Sequence, residues 1–140
     1  MRNFTVLLAA IFFVSSALKG QIRIECNTPT VWTAGELNKV EIKINFDSAE
    51  GFVRFSQDIP EGIGIIQDDV PSGDFSWYNN RLNVVWLTLP ANKQIIFSYF
   101  AKPGKSMNGT FNLEGRVVHI TGGKTRRVFK MNSVSVTIAH

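Results

Sequence analysis

The sequence predicts an all-β chain, and three observations carry that prediction. Apolar and polar residues alternate with period two in several runs. Turn residues recur between those runs at short intervals. No stretch shows an amphipathic pattern with the 3.6-residue period of a helix.

The first segment is of another kind. Arg2 gives a positive start, Val6 to Val14 is an unbroken apolar run, and Ser15, Ser16 and Ala17 supply small residues after it. Charge, short apolar core and small-residue exit together describe a secretory signal peptide over residues 1–20. The run is too short to span a bilayer as a helix. Cleavage at Gly20-Gln21 is favoured over cleavage after Ala17, because Gln21 can cyclise and protect the new terminus. Residues 21–140 then form a single domain, long enough to hold a core without metal or disulfide staples.

Within that domain Ile22 to Cys26 reads as the first strand. Val40, Ile42, Ile44 and Phe46 alternate with Glu41, Lys43 and Asn45, the cleanest half-buried strand in the chain. Phe52 to Ser56 and Ile63 to Gln67 follow. Phe75 and Trp77 alternate with Ser76 and Tyr78 beside a turn, which leaves two options: rings turned into the core, or rings exposed to a ligand. Leu82 to Leu89 and Ile95 to Phe100 are apolar on both faces and rich in β-branched and aromatic residues, so both read as central strands. Phe111 and Leu113 alternate with Asn112 and Glu114. The pattern then shifts through Gly115 into Val117-Val118, which predicts a bulge. Lys124 to Lys130 and Val134 to Ile138 complete the set. Asn79-Asn80 and Gly122-Gly123 suit tight hairpins, since both central residues accept positive φ. Short strands with such turns imply two packed sheets: an immunoglobulin-like antiparallel β-sandwich of about seven to nine strands.

The formal charge of +4 includes the leader. The 15 Lys and Arg less Arg2 and Lys19 leave 13 against 11 acids, a net of +2. Its distribution is uneven. Phe55 to Asn80 holds Asp58, Glu61, Asp68, Asp69 and Asp74 and no Lys or Arg, whereas Gly115 to His140 holds Arg116, Lys124, Arg126, Arg127 and Lys130 and no acid. That asymmetry either steers a charged partner or marks two solvated turn regions. Cys26 is the sole cysteine, so no intrachain disulfide forms. It is either a buried small hydrophobe or a thiol for pairing between chains. It follows Arg23-Ile24-Glu25, which excludes a lipoprotein cysteine at the end of the apolar run.

An ordered set of segments carries a family resemblance. Lys39–Phe46 (KVEIKINF) precedes Val53–Gly62 (VRFSQDIPEG), then Asn80–Ala91 (NRLNVVWLTLPA), Lys93–Phe100 (KQIIFSYF) and Gly109–Gly115 (GTFNLEG). Across roughly residues 38 to 120 the chain resembles the "conserved repeat" immunoglobulin-like modules of bacterial surface proteins. Asn92 stands where that family often has Gly after its turn, and one copy stands where the family has tandem arrays. The resemblance implies a structural or adhesive module with no catalytic residues to carry over. On the residues themselves, Trp86 among Val84, Val85 and Leu87 reads as a core anchor.

No catalytic or metal pattern emerges, and no cofactor is expected. His140 is terminal, and His119 stands among Val117, Val118 and Ile120 without a nucleophile motif. Neither H-E-x-x-H nor C-x-x-C is present. Asp68, Asp69 and Asp74 do not match an EF-hand, and Gly62-Ile63-Gly64 is no phosphate loop. Two surface candidates remain. Lys124, Arg126, Arg127 and Lys130 form a basic hairpin suited to an acidic protein face or lipid head group, or to guarding a sheet edge. Export argues against nucleic acid as the ligand. Trp77 and Tyr78 are candidates for stacking on a glycan or meeting a partner protein.

Asn108-Gly109-Thr110 matches an N-glycosylation acceptor and equally a turn. Asp47-Ser48-Ala49 has the form of a periplasmic O-glycosylation acceptor in type IX-secreting bacteria. With the Gly20-Gln21 junction and a single short sandwich, it resembles accessory components of a type IX secretion or gliding apparatus. The first expectation is therefore an exported, non-enzymatic module, periplasmic or at the cell surface. It would have an envelope protein as partner and no integral membrane segment once the leader is cut. The second is a carbohydrate-binding or adhesin module.

Overall fold

Period-two alternation becomes a strand where one set of side chains finds a buried face. That happens repeatedly here, in a computed structural model that describes residues 22–123 and 125–140. The leader expected over residues 1–20 and the basic candidate Lys124 lie outside the described residues. The strands are β1 (Arg23–Asn27), β2 (Val31–Thr33), β3 (Asn38–Asn45), β4 (Phe52–Asp58), β5 (Ile63–Gln67) and β6 (Asp74–Tyr78). They continue with β7 (Arg81–Trp86), β8 (Gln94–Pro103), β9 (Gly109–Leu113), β10 (Arg116–Thr121), β11 (Thr125–Lys130) and β12 (Val134–Ala139). Among the described residues no helix is long and apolar enough to cross a membrane.

The chain is an all-β sandwich. One sheet runs β1-β3-β8-β5, a second runs β11-β10-β4-β7-β6, and a third runs β2-β12-β9. In the immunoglobulin arrangement of ABED packed on CFG, β1-β3-β8-β5 takes the first set of places and β4-β10-β11 the second. The β6–β7 hairpin adds to the second sheet beside β4. β7 and β8 are interior strands of their sheets, as their two-sided apolar character requires.

The described strands number 12, not seven to nine, for two physical reasons. First, β9 with β10 and β11 with β12 are halves of two bent strands. Arg116 pairs with Lys130 on one side of the bend and Leu113 with Val134 on the other, so the second strand carries one extra residue there. Met131 N donates to Gly115 O at 2.8 Å across the bend. The expected bulge at Gly115 is present, with its surplus residue on the partner strand. A Cβ on Gly115 would lie 3.0 Å from the Phe55 ring. Second, β2 is only three residues long and pairs with β12 in parallel, Val31 against Thr137. That pairing departs from an all-antiparallel sandwich. No local pattern signals so short a strand. Its anchor is tertiary: Trp32 is fully buried, meets Phe111 edge-on at 5.4 Å, and donates from Nε1 to Thr28 Oγ1 at 2.9 Å.

The two expected hairpins form. Asn79 and Asn80 take φ of 50° and 59°, and Gly122 and Gly123 take 59° and 71°. Gly51 is indispensable for another reason. At φ +81° its Cβ would stand 1.8 Å from Ile120 O, so the β3–β4 loop seats directly on β10.

The core lies between the sheets. Val40, Ile42 and Ile44 from β3 and Phe97, Tyr99 and Ala101 from β8 face Val53 and Phe55 from β4 and Leu82, Val84 and Trp86 from β7. Phe97 sits 5.2 Å from both Phe55 and Trp86, ring centroid to centroid. Such pairs add about 0.5–1.5 kcal/mol each beyond area burial. The Tyr99 hydroxyl donates to Gln57 Oε1, closing a polar contact in an apolar layer. Gln57 Nε2 has no hydrogen-bond partner there among the described residues.

Two outcomes are expected in urea unfolding. Phe97→Ala costs about 3–5 kcal/mol, because a large ring is lost from a layer that cannot collapse. Tyr99→Phe costs about 1–3 kcal/mol by stranding Gln57, whereas Tyr99→Phe with Gln57→Leu recovers most of that loss.

Candidate functional site

Strand register decides which candidate residues share a surface. Val53, Phe55 and Gln57 of β4 point into the core, so Phe52, Arg54 and Ser56 point outward. Across β11, β10 and β4 the outward residues fall into rows: Arg126, Ile120 and Phe52; then Val128, Val118 and Arg54; then Lys130, Arg116 and Ser56. The result is an apolar strip of Phe52, Ile120, Val118 and Val128 bordered by four cations. Arg54, Arg116, Arg126 and Lys130 are all exposed, and none has a carboxylate within 4.0 Å among the described residues. Phe52 is 36% and Val128 50% exposed, whereas Val118 is covered by its neighbours.

The same face continues onto β7 and β6. Ser56 Oγ donates to Asn83 Oδ1 at 2.7 Å, which explains how an outward serine is buried. Arg81 Nε donates to Asp58 Oδ1 at 2.8 Å, so Asp58 is already engaged. Beside Arg81 stands Tyr78, 66% exposed.

The basic hairpin is therefore not one surface. Arg126 and Lys130 face outward, but Arg127 turns to the core side. It donates from Nη1 and Nη2 to both oxygens of Asp47, at 3.0 and 2.9 Å, and stacks over Phe129 at 5.4 Å. Its Nη2 also lies 3.2 Å from His119 Nδ1, and His119 Nε2 lies 2.8 Å from Glu50 O. A carbonyl only accepts, so Nε2 carries the proton and Nδ1 accepts from the guanidinium. Both ring nitrogens of this fully buried histidine are thus engaged in holding the β3–β4 loop. Within the O-glycosylation pattern, Asp47 is the carboxylate of this clamp, and Ser48 Oγ accepts from Glu50 N at 3.2 Å. Sequence reasoning missed Arg54 as a member of the outward cluster, because it is distant in sequence and only the pairing of β4 with β10 brings it there. Arg116, already counted in the basic C-terminal stretch, stands on the other arm of the Gly122-Gly123 hairpin, opposite Lys130.

Trp77 and Tyr78 do not form a two-ring platform. Adjacent strand residues point to opposite faces, and Trp77, like Phe75, packs against the core. Tyr78 alone faces solvent. Asp68 accepts from Ser98 Oγ at 2.8 Å and lies 3.7 Å from Lys39 Nζ. Among the described residues no cluster of His, Cys, Asp and Glu is arranged to hold a metal. Cys26 is half-buried, and burial pushes its thiol up to about 11, so little thiolate is present at neutral pH.

One cleft had no signal in the sequence. It encloses about 770 Å³ between the Pro71–Asp74 turn, the end of β7 and the start of β8. Trp86 floors it and donates from Nε1 to Pro71 O at 3.0 Å. A Cβ on Gly73 would meet that indole at 2.8 Å. Leu87 and Ile96, 78% and 44% exposed, stand at its mouth.

No protein-family model matches the chain, and no curated protein sequence matches it. Among solved structures it is similar to part of a GH20 exo-β-N-acetylglucosaminidase from Vibrio harveyi in complex with N-acetylglucosamine. The TM-score is 0.50 and the sequence identity 11%, over 84% of this chain and 18% of that one. An inactive mutant of the same enzyme aligns over the same shares with a TM-score of 0.49. The chain thus spans under a fifth of the enzyme's length, and the likeness is one of fold.

Hydrogen bonds from Arg127 hold the Asp47 carboxyl below its usual value. A carboxyl lowered in the folded state contributes stability above its unfolded value, near 3.9, and loses it as pH falls through the lower folded one. Wild-type protein is expected to lose the clamp's contribution as pH falls below about 4. Asp47→Asn is expected to lose about 1–2 kcal/mol at pH 7 and to show a flatter acid limb. Urea midpoints from pH 7 to pH 2.5 check both.

Proposed function

We propose that this chain is an exported, non-enzymatic β-sandwich module that binds an acidic protein of the bacterial envelope through the outer face of its second sheet. The observation that carries the reading is the apolar strip of Phe52, Ile120, Val118 and Val128 bordered by Arg54, Arg116, Arg126 and Lys130. Arginine and aromatic residues around an apolar centre are the composition of a protein interface. Unneutralised cations at the border steer an acidic partner and set its orientation. The leader supports export to the periplasm or cell surface. The resemblance to conserved-repeat modules supports an adhesive or structural role, and the Asp47-Ser48-Ala49 pattern supports service beside a type IX secretion or gliding apparatus.

A second reading, a glycan-binding or adhesin module, rests on Tyr78. Its exposed ring stands beside Arg81, whose guanidinium is held by Asp58 on the next strand, so an aromatic face and a charged pair lie in one row. The fold likeness to part of an acetylglucosaminidase is compatible with it.

Affinity purification of the tagged chain from its native envelope separates the two. With Arg54→Glu and Arg116→Glu together, and the fold verified by circular dichroism, the captured envelope protein is expected to fall at least about tenfold, a loss of about 1.4 kcal/mol. Capture by the wild type is expected to weaken as salt rises. Undiminished capture by the double variant would sink the outer-face reading. Glycan-array binding that disappears with Tyr78→Ala would establish the second reading in its place.

A further inference from the structure

The five-stranded sheet ends on two edges of opposite character. β11 carries Arg126, Arg127 and Lys130, the kind of decoration that discourages strand addition. β6, at the other end, reads Asp74-Phe75-Ser76-Trp77-Tyr78, with no Lys, Arg or Pro and no bulge in its register against β7. Among the described residues no strand pairs with its outer edge.

The turn determines which backbone groups face that open edge. The two-residue turn at Asn79-Asn80 closes on a hydrogen-bonded Tyr78–Arg81 pair. Bonded and non-bonded pairs alternate along an antiparallel ladder. Tyr78, Ser76 and Asp74 therefore direct their backbone groups at β7, while Phe75 and Trp77 direct theirs outward. Each of those two offers an N–H and a C=O to an incoming strand.

The side chains make this strand complementary to itself. Lay a second β6 antiparallel to the first, about a two-fold axis at Ser76. Phe75 then meets Trp77 of the second copy in a hydrogen-bonded pair, twice over, on the core side where both rings already sit. Asp74 meets Tyr78 of the second copy, so each hydroxyl is placed to donate to a carboxylate. The two Asp74 carboxylates stand roughly 13 Å apart along the strands and do not oppose each other. A β11–β11 pairing would instead set cations against cations.

We propose that β6 is the interface through which two copies of this chain pair edge to edge, joining two five-stranded sheets into one of ten strands. The occupant is a second copy because the pairing closes under two-fold symmetry, with every contact made twice. The paired segment is short, about 17 Å, so association is reversible and depends on concentration. The proposal does not depend on the outer-face reading, because β6 lies at the opposite end of the sheet from the cations of β11.

Sedimentation equilibrium on the purified chain tests it. The wild type is expected to pass from monomer toward dimer as concentration rises. Ser76→Lys places two ammonium groups at the two-fold axis and is expected to remain monomeric, with unchanged circular dichroism and melting temperature. Thr125→Lys on β11 is expected to dimerise like the wild type. Ser76→Cys in a Cys26→Ala background is expected to give a disulfide-linked dimer on mild oxidation, because a non-bonded pair brings its Cα atoms to about 4.5 Å. A wild type that stays monomeric up to its solubility limit overturns the proposal. So does a folded Ser76→Lys variant that dimerises like the wild type, or a Ser76→Cys variant that fails to cross-link.

Discussion

The contact of Phe97 with Phe55 and Trp86, at 5.2 Å in each case, ties one sheet to the other and sets where everything else can stand. Phe97 projects from β8, an interior strand of the first sheet, while Phe55 and Trp86 come from neighbouring strands of the second. A ring wedged between two others fixes the relative position of the sheets more firmly than aliphatic packing alone, since offset and edge-on geometries are preferred. Trp86 then does a second task, because its indole N–H holds the Pro71 carbonyl and so places the turn that leads into β6. The exposed strands are arranged around this contact.

Polar groups close the sandwich where apolar packing ends. On one edge Arg127, Asp47, His119 and the Glu50 carbonyl form a linked set that pins the β3–β4 loop to β10 and β11. Gly51 lets that loop come close enough, since any side chain there would strike Ile120 O. Within the core, Tyr99 and Gln57 pair across the sheets. Burial holds the Tyr99 phenol well above its usual range, so it remains a neutral donor. These contacts consume residues that look reactive in a bare sequence. The outward rows of β11, β10 and β4 and the edge of β6 stand apart from these contacts.

The candidate residues were legible in part, and the boundary has a physical cause. Lys124 to Lys130 reads as one basic stretch, yet a strand sends successive side chains to opposite faces. Arg126 and Lys130 therefore reach solvent and Arg127 reaches Asp47. Trp77 and Tyr78 separate for the same reason. Arg54 lies far from the hairpin in sequence and beside it in space, because β10 pairs with β4 as well as with β11. No local pattern contains that adjacency, whereas the Gly122-Gly123 turn by itself sets Arg116 opposite Lys130.

By itself the sequence determined the class of fold and its punctuation. Alternation through Val40 to Phe46, the two-sided apolar runs of β7 and β8, the Asn79-Asn80 and Gly122-Gly123 turns and the break at Gly115 are local properties. They arise from side-chain period and from which residues tolerate positive φ. Only the tertiary structure decided the parallel docking of β2 on β12, the sharing of a face by Arg54 with the cations of β10 and β11, and which edges stay open. Those are pairing choices between segments far apart in the chain. They are set by what packs around Phe97 and Trp32, and a pattern read a few residues at a time does not contain them.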